Sequence, residues 1–169
     1  ITVELSNLYE EVTIIDRATP SIELSSNVSF RKVNLLDEDF DFLSDYKDID
    51  TLIITAGFGR VTPFNSIVEK EIDNSYQVNT IAATKILHHY YPRMQQAEDF
   101  YCAVMGSIAG LVSSPLFALY GATKAALCSL IESLNVELEK SGTNNRILNV
   151  SPGSIKGTRF NGGDNDLAE

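Results

Sequence analysis

Tyr120 and Lys124 stand four residues apart in the stretch 107–124, Ser-Ile-Ala-Gly-Leu-Val-Ser-Ser-Pro-Leu-Phe-Ala-Leu-Tyr-Gly-Ala-Thr-Lys, which opens on Ser107. On a helix, residues i and i+4 share one face, so this spacing sets a phenol beside an ammonium. A phenol ordinarily loses its proton near pH ~10, and each pKa unit corresponds to about 1.4 kcal/mol. Lowering it to about 7 takes roughly 4 kcal/mol, which a positive charge about 4 Å away supplies at an effective dielectric near 20. A tyrosine so placed exchanges a proton at neutral pH. Alone, the pair reads more readily as a chance pair on a solvated helix face, so the elements around it decide its meaning.

Those elements belong to a chain of 169 residues, the length of one domain, expected over 1–169. Hydrophobic residues make up 44% and charged residues 21%, the balance of a soluble globular protein. The net charge, 13 − 23 = −10, argues against nucleic acid or an anionic membrane as partner, since both reward surplus Lys and Arg. No apolar run approaches the ~18 residues of a membrane span, and no signal-peptide pattern opens the chain. Cys102 and Cys128 lack metal-ligand spacing. One falls in a strand-like run and the other in a helical pattern, so buried inert thiols and a cytoplasmic address are expected.

Apolar periodicity predicts a helix over 1–9 and strands at 12–16, 28–33, 51–55, 100–105 and 146–150. Residues 37–48 suggest a short acidic surface helix. A long helix is expected at about 71–91, ended by Pro92. Another spans 120–140, with Ala125, Leu127, Leu130, Leu134 and Leu138 as its apolar stripe and Gly142 as its stop. The Gly- and Asp-rich tail, 161–169, is expected to be flexible. Short apolar strands alternating with helices predict an α/β fold, a doubly wound parallel sheet covered on both faces. Ligands of such sheets bind at the carboxyl ends of the strands, where Asp16, Asn34, Ala56-Gly57, Ser107 and Pro152-Gly153 fall.

With Ser107-Ile-Ala-Gly, Tyr120-x-x-x-Lys124 and Pro152-Gly153 in that order, the chain resembles the short-chain dehydrogenase/reductase family in its compact single-domain form, from residue 1 to about residue 160. The resemblance implies a Rossmann-like sheet and an oxidoreductase that moves a hydride between a nicotinamide dinucleotide and a secondary alcohol or ketone. Tyr120 would be the general acid for reduction and the base for oxidation. Lys124 would lower the Tyr120 pKa and hold the nicotinamide ribose. Ser107 would hold the substrate oxygen, and Asn79, in Gln-Val-Asn-Thr, would help hold a water in the proton relay. Asp16 would accept the adenosine ribose hydroxyls and repel a 2′-phosphate, which favours NAD. Arg17 offers a phosphate partner, so NADP stays possible. Asn34 and Leu35 match the adenine end; Ala56 and Gly57 match the backbone approach to the cofactor. Pro152, Gly153 and Ile155 match the segment at the carboxamide. The two long helices resemble those that pair between subunits, which implies a homodimer or homotetramer.

The family's glycine-rich phosphate loop and the first, central strand before it are not in this sequence, and neither is the C-terminal part that closes the substrate pocket. Residues preceding Ile1 are therefore expected in the natural protein, and without that strand 12–16 and 51–55 lose their shared neighbour. Thr55 replaces an amide of the usual Asn-Asn-Ala-Gly, and Asn34 stands for an acidic residue whose acceptor role its carbonyl can keep. Gly157 holds the usual threonine position, with Thr158 one residue late, and Tyr9 replaces a helix-ending glycine. Adjacent helical residues point about 100° apart, so His88 and His89 cannot serve one site. Pro63 and Phe64 either line the substrate entrance or pack a loop. Two alternatives stand beside the oxidoreductase. One is a dinucleotide-binding sensor or partner-binding module without turnover, which has no need of a tuned phenol. The other is a sugar-nucleotide epimerase, against which the early Pro152-Gly153 and the short Ser107–Tyr120 spacing argue.

Overall fold

The computed structural model describes residues 1–37, 39–96, 99–155 and Phe160. The tail at 161–169 and the Gly157-Thr158 position lie outside the described residues. Two compact units divide the chain, Ile1–Asp39 and Phe40–Glu169.

In the first unit, α1 (Thr2–Ser6) leads to two parallel strands, β1 (Val12–Asp16) and β2 (Val28–Lys32). Val12-Thr-Ile-Ile is β-branched throughout, which suits a pleated strand. The register runs from Val12↔Val28 to Asp16↔Lys32, so both strands end at one edge. Asn27 Nδ2 donates to the carbonyls of Ser6 at 2.8 Å and Tyr9 at 3.0 Å, which fastens the end of α1 to the turn before β2.

The second unit holds a parallel sheet of β3 (Thr51–Ile54), β4 (Tyr101–Met105) and β5 (Ile147–Val150), in the order β3-β4-β5. The described strands thus form two sheets, β1-β2 and β3-β4-β5. A continuous helical stretch follows β3: α2 (Glu69–Tyr76), a π-helical segment (Gln77–Ala82) and α3 (Ala83–Met94). After β4 comes α4 (Ala118–Ser141), closed by Gly142 in the left-handed conformation at φ 83°.

Three expectations need correction. Pro92 does not end its helix, which continues to Met94. In the last turn a missing N–H forfeits one hydrogen bond, so the chain stays helical for two more residues. Residues 37–48 do not form a surface helix. Asp41–Tyr46 is a 3-10 turn whose Phe42 and Leu43 are buried. The apolar stripe of α4 is rotated. Ala125 is exposed, whereas Thr123, Lys124, Leu127, Cys128, Ile131 and Leu138 are buried, so the functional pair shares its face with the core. In the sheet of the second unit, Ile54, Cys102, Val104 and Ile147 are buried, while Ile53, Tyr101, Leu148 and Val150 are exposed. Both cysteines are buried as expected, and burial pushes the Cys102 thiol up to about 12.

Two contacts dock α4. Asn135 accepts from the Ile147 N–H at 2.7 Å and donates to its carbonyl at 2.9 Å, pinning the helix to the start of β5. At the other end, the 3-10 turn Ile108–Gly110 lies backbone against backbone on α4. A Cβ on Gly110 would stand 2.7 Å from the Lys124 carbonyl carbon, and one on Gly121 would stand 2.8 Å from the Ala109 carbonyl oxygen. Backbone cannot yield as a side-chain end does. Gly110→Ala is therefore expected to lower unfolding stability by about 1–3 kcal/mol, read as a lower denaturant midpoint at unchanged slope. An unchanged midpoint would show that the approach is looser than the structure has it.

Candidate active site

The turn Ile108–Gly110 and α4 present Ser107, Tyr120 and Lys124 to one another. Ser107 is extended, with φ −169°, and caps the turn by accepting the Ala109 N–H at 3.2 Å. Its hydroxyl also acts on the Tyr120 phenol, pulling the phenol's pKa downward. The expected lowering of the phenol by Lys124 is not what this arrangement gives. Burial holds the Tyr120 pKa above its ordinary value, and Ser107 pulls only partly back. Lys124, 2% exposed, spends its reach elsewhere: Nζ donates to the Met105 carbonyl at the end of β4 at 2.8 Å and lies 6.0 Å from the Tyr120 ring centre. Burial lowers the Lys124 pKa to about 8, with nearby Cys128 pulling it partly up.

Asn79 sits in the π-helical segment, fully buried. Its Oδ1 accepts the Phe58 N–H at 2.9 Å, and Nδ2 donates to the Phe58 carbonyl at 2.8 Å and to Thr123 Oγ1 at 3.0 Å. The side chain thus clamps the backbone just past Ala56-Gly57 and ties it to α4. Thr123 Oγ1 passes its own proton to the Tyr120 carbonyl at 2.8 Å, and Thr80 Oγ1 donates to the Thr123 carbonyl at 2.9 Å. π-helical segments are rare and concentrate at functional sites.

Lys124 and Asn79 converge over Gly57. A Cβ there would lie 3.1 Å from Lys124 Nζ and 3.3 Å from Asn79 Oδ1. An ammonium carries three donors, and Met105 is the one hydrogen-bond partner of Lys124 among the described residues. The remaining donors, beside a backbone kept open by Gly57 and Ala56, fit the hydroxyls of a nicotinamide ribose. Pro152 closes the same corner, its carbonyl accepting the Ile108 N–H at 3.1 Å, while Gly153 and Ile155 are exposed beyond it.

Asp16, Arg17, Asn34 and Leu35 lie on the first unit, at the carboxyl ends of β1 and β2. Asp16 Oδ1 accepts the Ala18 N–H at 2.9 Å, and Arg17 is exposed. Asn34 Nδ2 donates to Asp37 Oδ2, and its Oδ1 accepts the Leu36 N–H at 3.3 Å. Thr55 is exposed. His88 is exposed, and His89 packs edge-on against the Tyr90 ring at 4.8 Å.

Three features escaped the sequence. Thr123 joins Asn79 to the helix that carries Tyr120, and Thr-Lys gives no sign of it. Gly59 lies under the Tyr120 ring, where a Cβ would come within 2.8 Å of Cγ; the second glycine of Gly57-Phe-Gly59 was the available signal. Arg60 and Glu71, on the rim of the cavity beside Tyr120, form a bidentate pair at 2.7 Å and 2.8 Å. The hydrogen bond from Arg60 holds Glu71 below the usual carboxylate range.

The sequence model of the short chain dehydrogenase family matches residues 40–167. A very-long-chain 3-oxoacyl-CoA reductase of Coccidioides immitis is 32% identical over 141 residues, covering 80% of this chain and 39% of that protein. The crystal structure of a short-chain dehydrogenase from Streptomyces avermitilis superposes with a TM-score of 0.79 at 23% identity, over 94% of this chain and 63% of that one. A 4-hydroxyisoleucine dehydrogenase complexed with NADH and succinate gives 0.75 at 21% identity, over 95% and 77%. The chain spans between 32% and 46% of the length of curated relatives it matches. No helix among the described residues is long and apolar enough to cross a membrane. With the family model covering well over half of its length, the chain belongs to the short chain dehydrogenase family.

Proposed function

We propose that the protein carrying this chain is an oxidoreductase that transfers a hydride between a nicotinamide dinucleotide and a secondary alcohol or ketone. One observation carries the reading: Ser107 acts on the Tyr120 phenol at the corner where Lys124 and Asn79 converge over Gly57. The dinucleotide, when bound, supplies or takes up the hydride. Ser107 holds the substrate oxygen. Tyr120, kept protonated at neutral pH by its burial, gives that oxygen its proton as the carbonyl becomes an alcohol, and takes it back in oxidation. Lys124 orients the ribose and keeps positive charge beside the phenolate left behind. Asn79 acts on the cofactor loop through Phe58 and helps hold a water in the proton relay, since an amide oxygen accepts two hydrogen bonds and Phe58 supplies one.

Asp16 favours NAD over NADP, because a carboxylate repels a 2′-phosphate. The full-length protein, given NADH or NADPH with a panel of ketones, is expected to consume nicotinamide absorbance with a higher kcat/KM for NADH. Better use of NADPH would remove Asp16 as the discriminating residue. Bound dinucleotide with no turnover of any ketone would replace the oxidoreductase by a dinucleotide-binding module.

A further inference from the structure

The loops leaving the strands of the second unit carry apolar side chains into solvent. Val61 and Phe64 follow β3, Leu111, Val112 and Leu116 follow β4, and Ile155 follows β5; all are exposed. Because the strands are parallel, these loops leave from one edge of the sheet, the edge that holds Ser107. Single exposed apolar residues are ordinary, but a set gathered at one edge marks a ligand surface.

The wall next to Tyr120 has the same character. Phe117 and Phe160 stack at 6.3 Å with 13° between planes, and Phe160 meets Tyr120 edge-on at 4.9 Å. Gly59 makes room for this, since a Cβ there would stand 3.0 Å from Phe160 Cε2 as well as against Tyr120. Leu116 is held at φ 67°, a left-handed conformation that a leucine adopts only at a cost. The Thr62 N–H donates to its carbonyl at 3.0 Å, which links the loops after β3 and β4 and leaves the Leu116 side chain bordering the cavity. Arg60 borders that cavity too, but Glu71 already occupies its guanidinium on two nitrogens.

We infer that this mouth selects a secondary alcohol or ketone flanked by bulky apolar groups and disfavours one with a carboxylate near the carbonyl. The inference rests on the oxidoreductase reading and adds its substrate class. Phe117 and Phe160 cover the flank beside Tyr120, Leu116 borders the cavity with Ile67 and Leu119, and the Arg60 charge is already paired with Glu71.

The test gives the full-length protein a series of methyl ketones of increasing length, with a keto acid matched in length to one of them. Up to about fourfold in kcat/KM per added methylene is expected until the mouth is filled, mostly through KM. The keto acid should fall about tenfold or more below its matched ketone. Phe160→Ala and Leu116→Gly should each reduce the long-to-short ratio by roughly tenfold, and the second also relieves the left-handed backbone, so it folds at least as well. A flat series, or preference for the keto acid, overturns the inference while leaving the oxidoreductase intact. If no ketone turns over, calorimetric titration of the longest ketone into the dinucleotide complex decides. Binding with a negative heat-capacity change, weakened in Phe160→Ala, keeps the apolar mouth while the oxidoreductase falls. Absence of binding overturns both.

Discussion

Replacing Tyr120 by Phe is expected to lower ketone reduction by about 10²–10⁴-fold, the usual contribution of a positioned general acid, with dinucleotide affinity unchanged within about twofold. The phenyl ring keeps every packing contact of the tyrosine, with Gly59, Phe117 and Phe160 around it. Only the hydroxyl is lost, and Ser107 still accepts the Ala109 N–H, so the fold is not at risk. The pH dependence gives a second signature. Burial raises the Tyr120 pKa, so at neutral pH the phenol is protonated and ready as the acid for reduction. Alcohol oxidation needs the phenolate, so its rate should climb with pH across the neutral and mildly alkaline range, and that climb should vanish in Tyr120→Phe. Equal turnover in the two proteins would remove Tyr120 from the mechanism.

What the sequence disclosed depended on how local the cause was. Val12–Asp16 is legible to the residue because a β-branched run needs no partner to declare itself. The order of Ser107, Tyr120 and Lys124 was equally legible, since chemistry at fixed spacing is a one-dimensional signal. The geometry among them was not. Lys124 has a four-carbon stem, and spacing on a helix does not say whether its ammonium turns to the phenol or to the Met105 carbonyl on another element. For the same reason the buried stripe of α4 was misplaced. Leucine positions suggested one face, but Thr123 and Lys124, both polar, turned inward because Asn79 and Met105 supply partners there. Asn79 was singled out through its motif, Gln-Val-Asn-Thr. Its use as a clamp on Phe58 depends on a π-helical segment that no periodicity announces.

Lys124→Met is expected to stabilise the protein at pH 7 while abolishing turnover. The ammonium is nearly inaccessible, and burial lowers its pKa to about 8 from an ordinary 10.5. The unfolded chain therefore binds the proton more tightly than the folded one, and at neutral pH the buried charge costs about 3 kcal/mol. Methionine fills a similar volume without that charge. It leaves the Met105 carbonyl without its donor, a loss of about 1–2 kcal/mol, so the net gain is about 1–2 kcal/mol, or several degrees in Tm. The pH dependence separates this cause from packing. Between the folded pKa near 8 and the unfolded value the unfolded state holds more protons, so wild-type stability should rise as pH rises through 8. From about pH 9 the buried Cys102 thiol, and above pH 10 the buried Tyr90 phenol, both pushed up to about 12, act in the opposite direction, so pH 7 to 9 is the clean window. Across it the wild type should gain about 1 kcal/mol and Lys124→Met nothing, read by denaturant melts at each pH. Parallel profiles would mean that Lys124 is neutral in the folded protein already at pH 7. A neutral amine could still hold a ribose hydroxyl, but it would offer no charge to a developing phenolate, and the electrostatic part assigned to Lys124 would be lost with it.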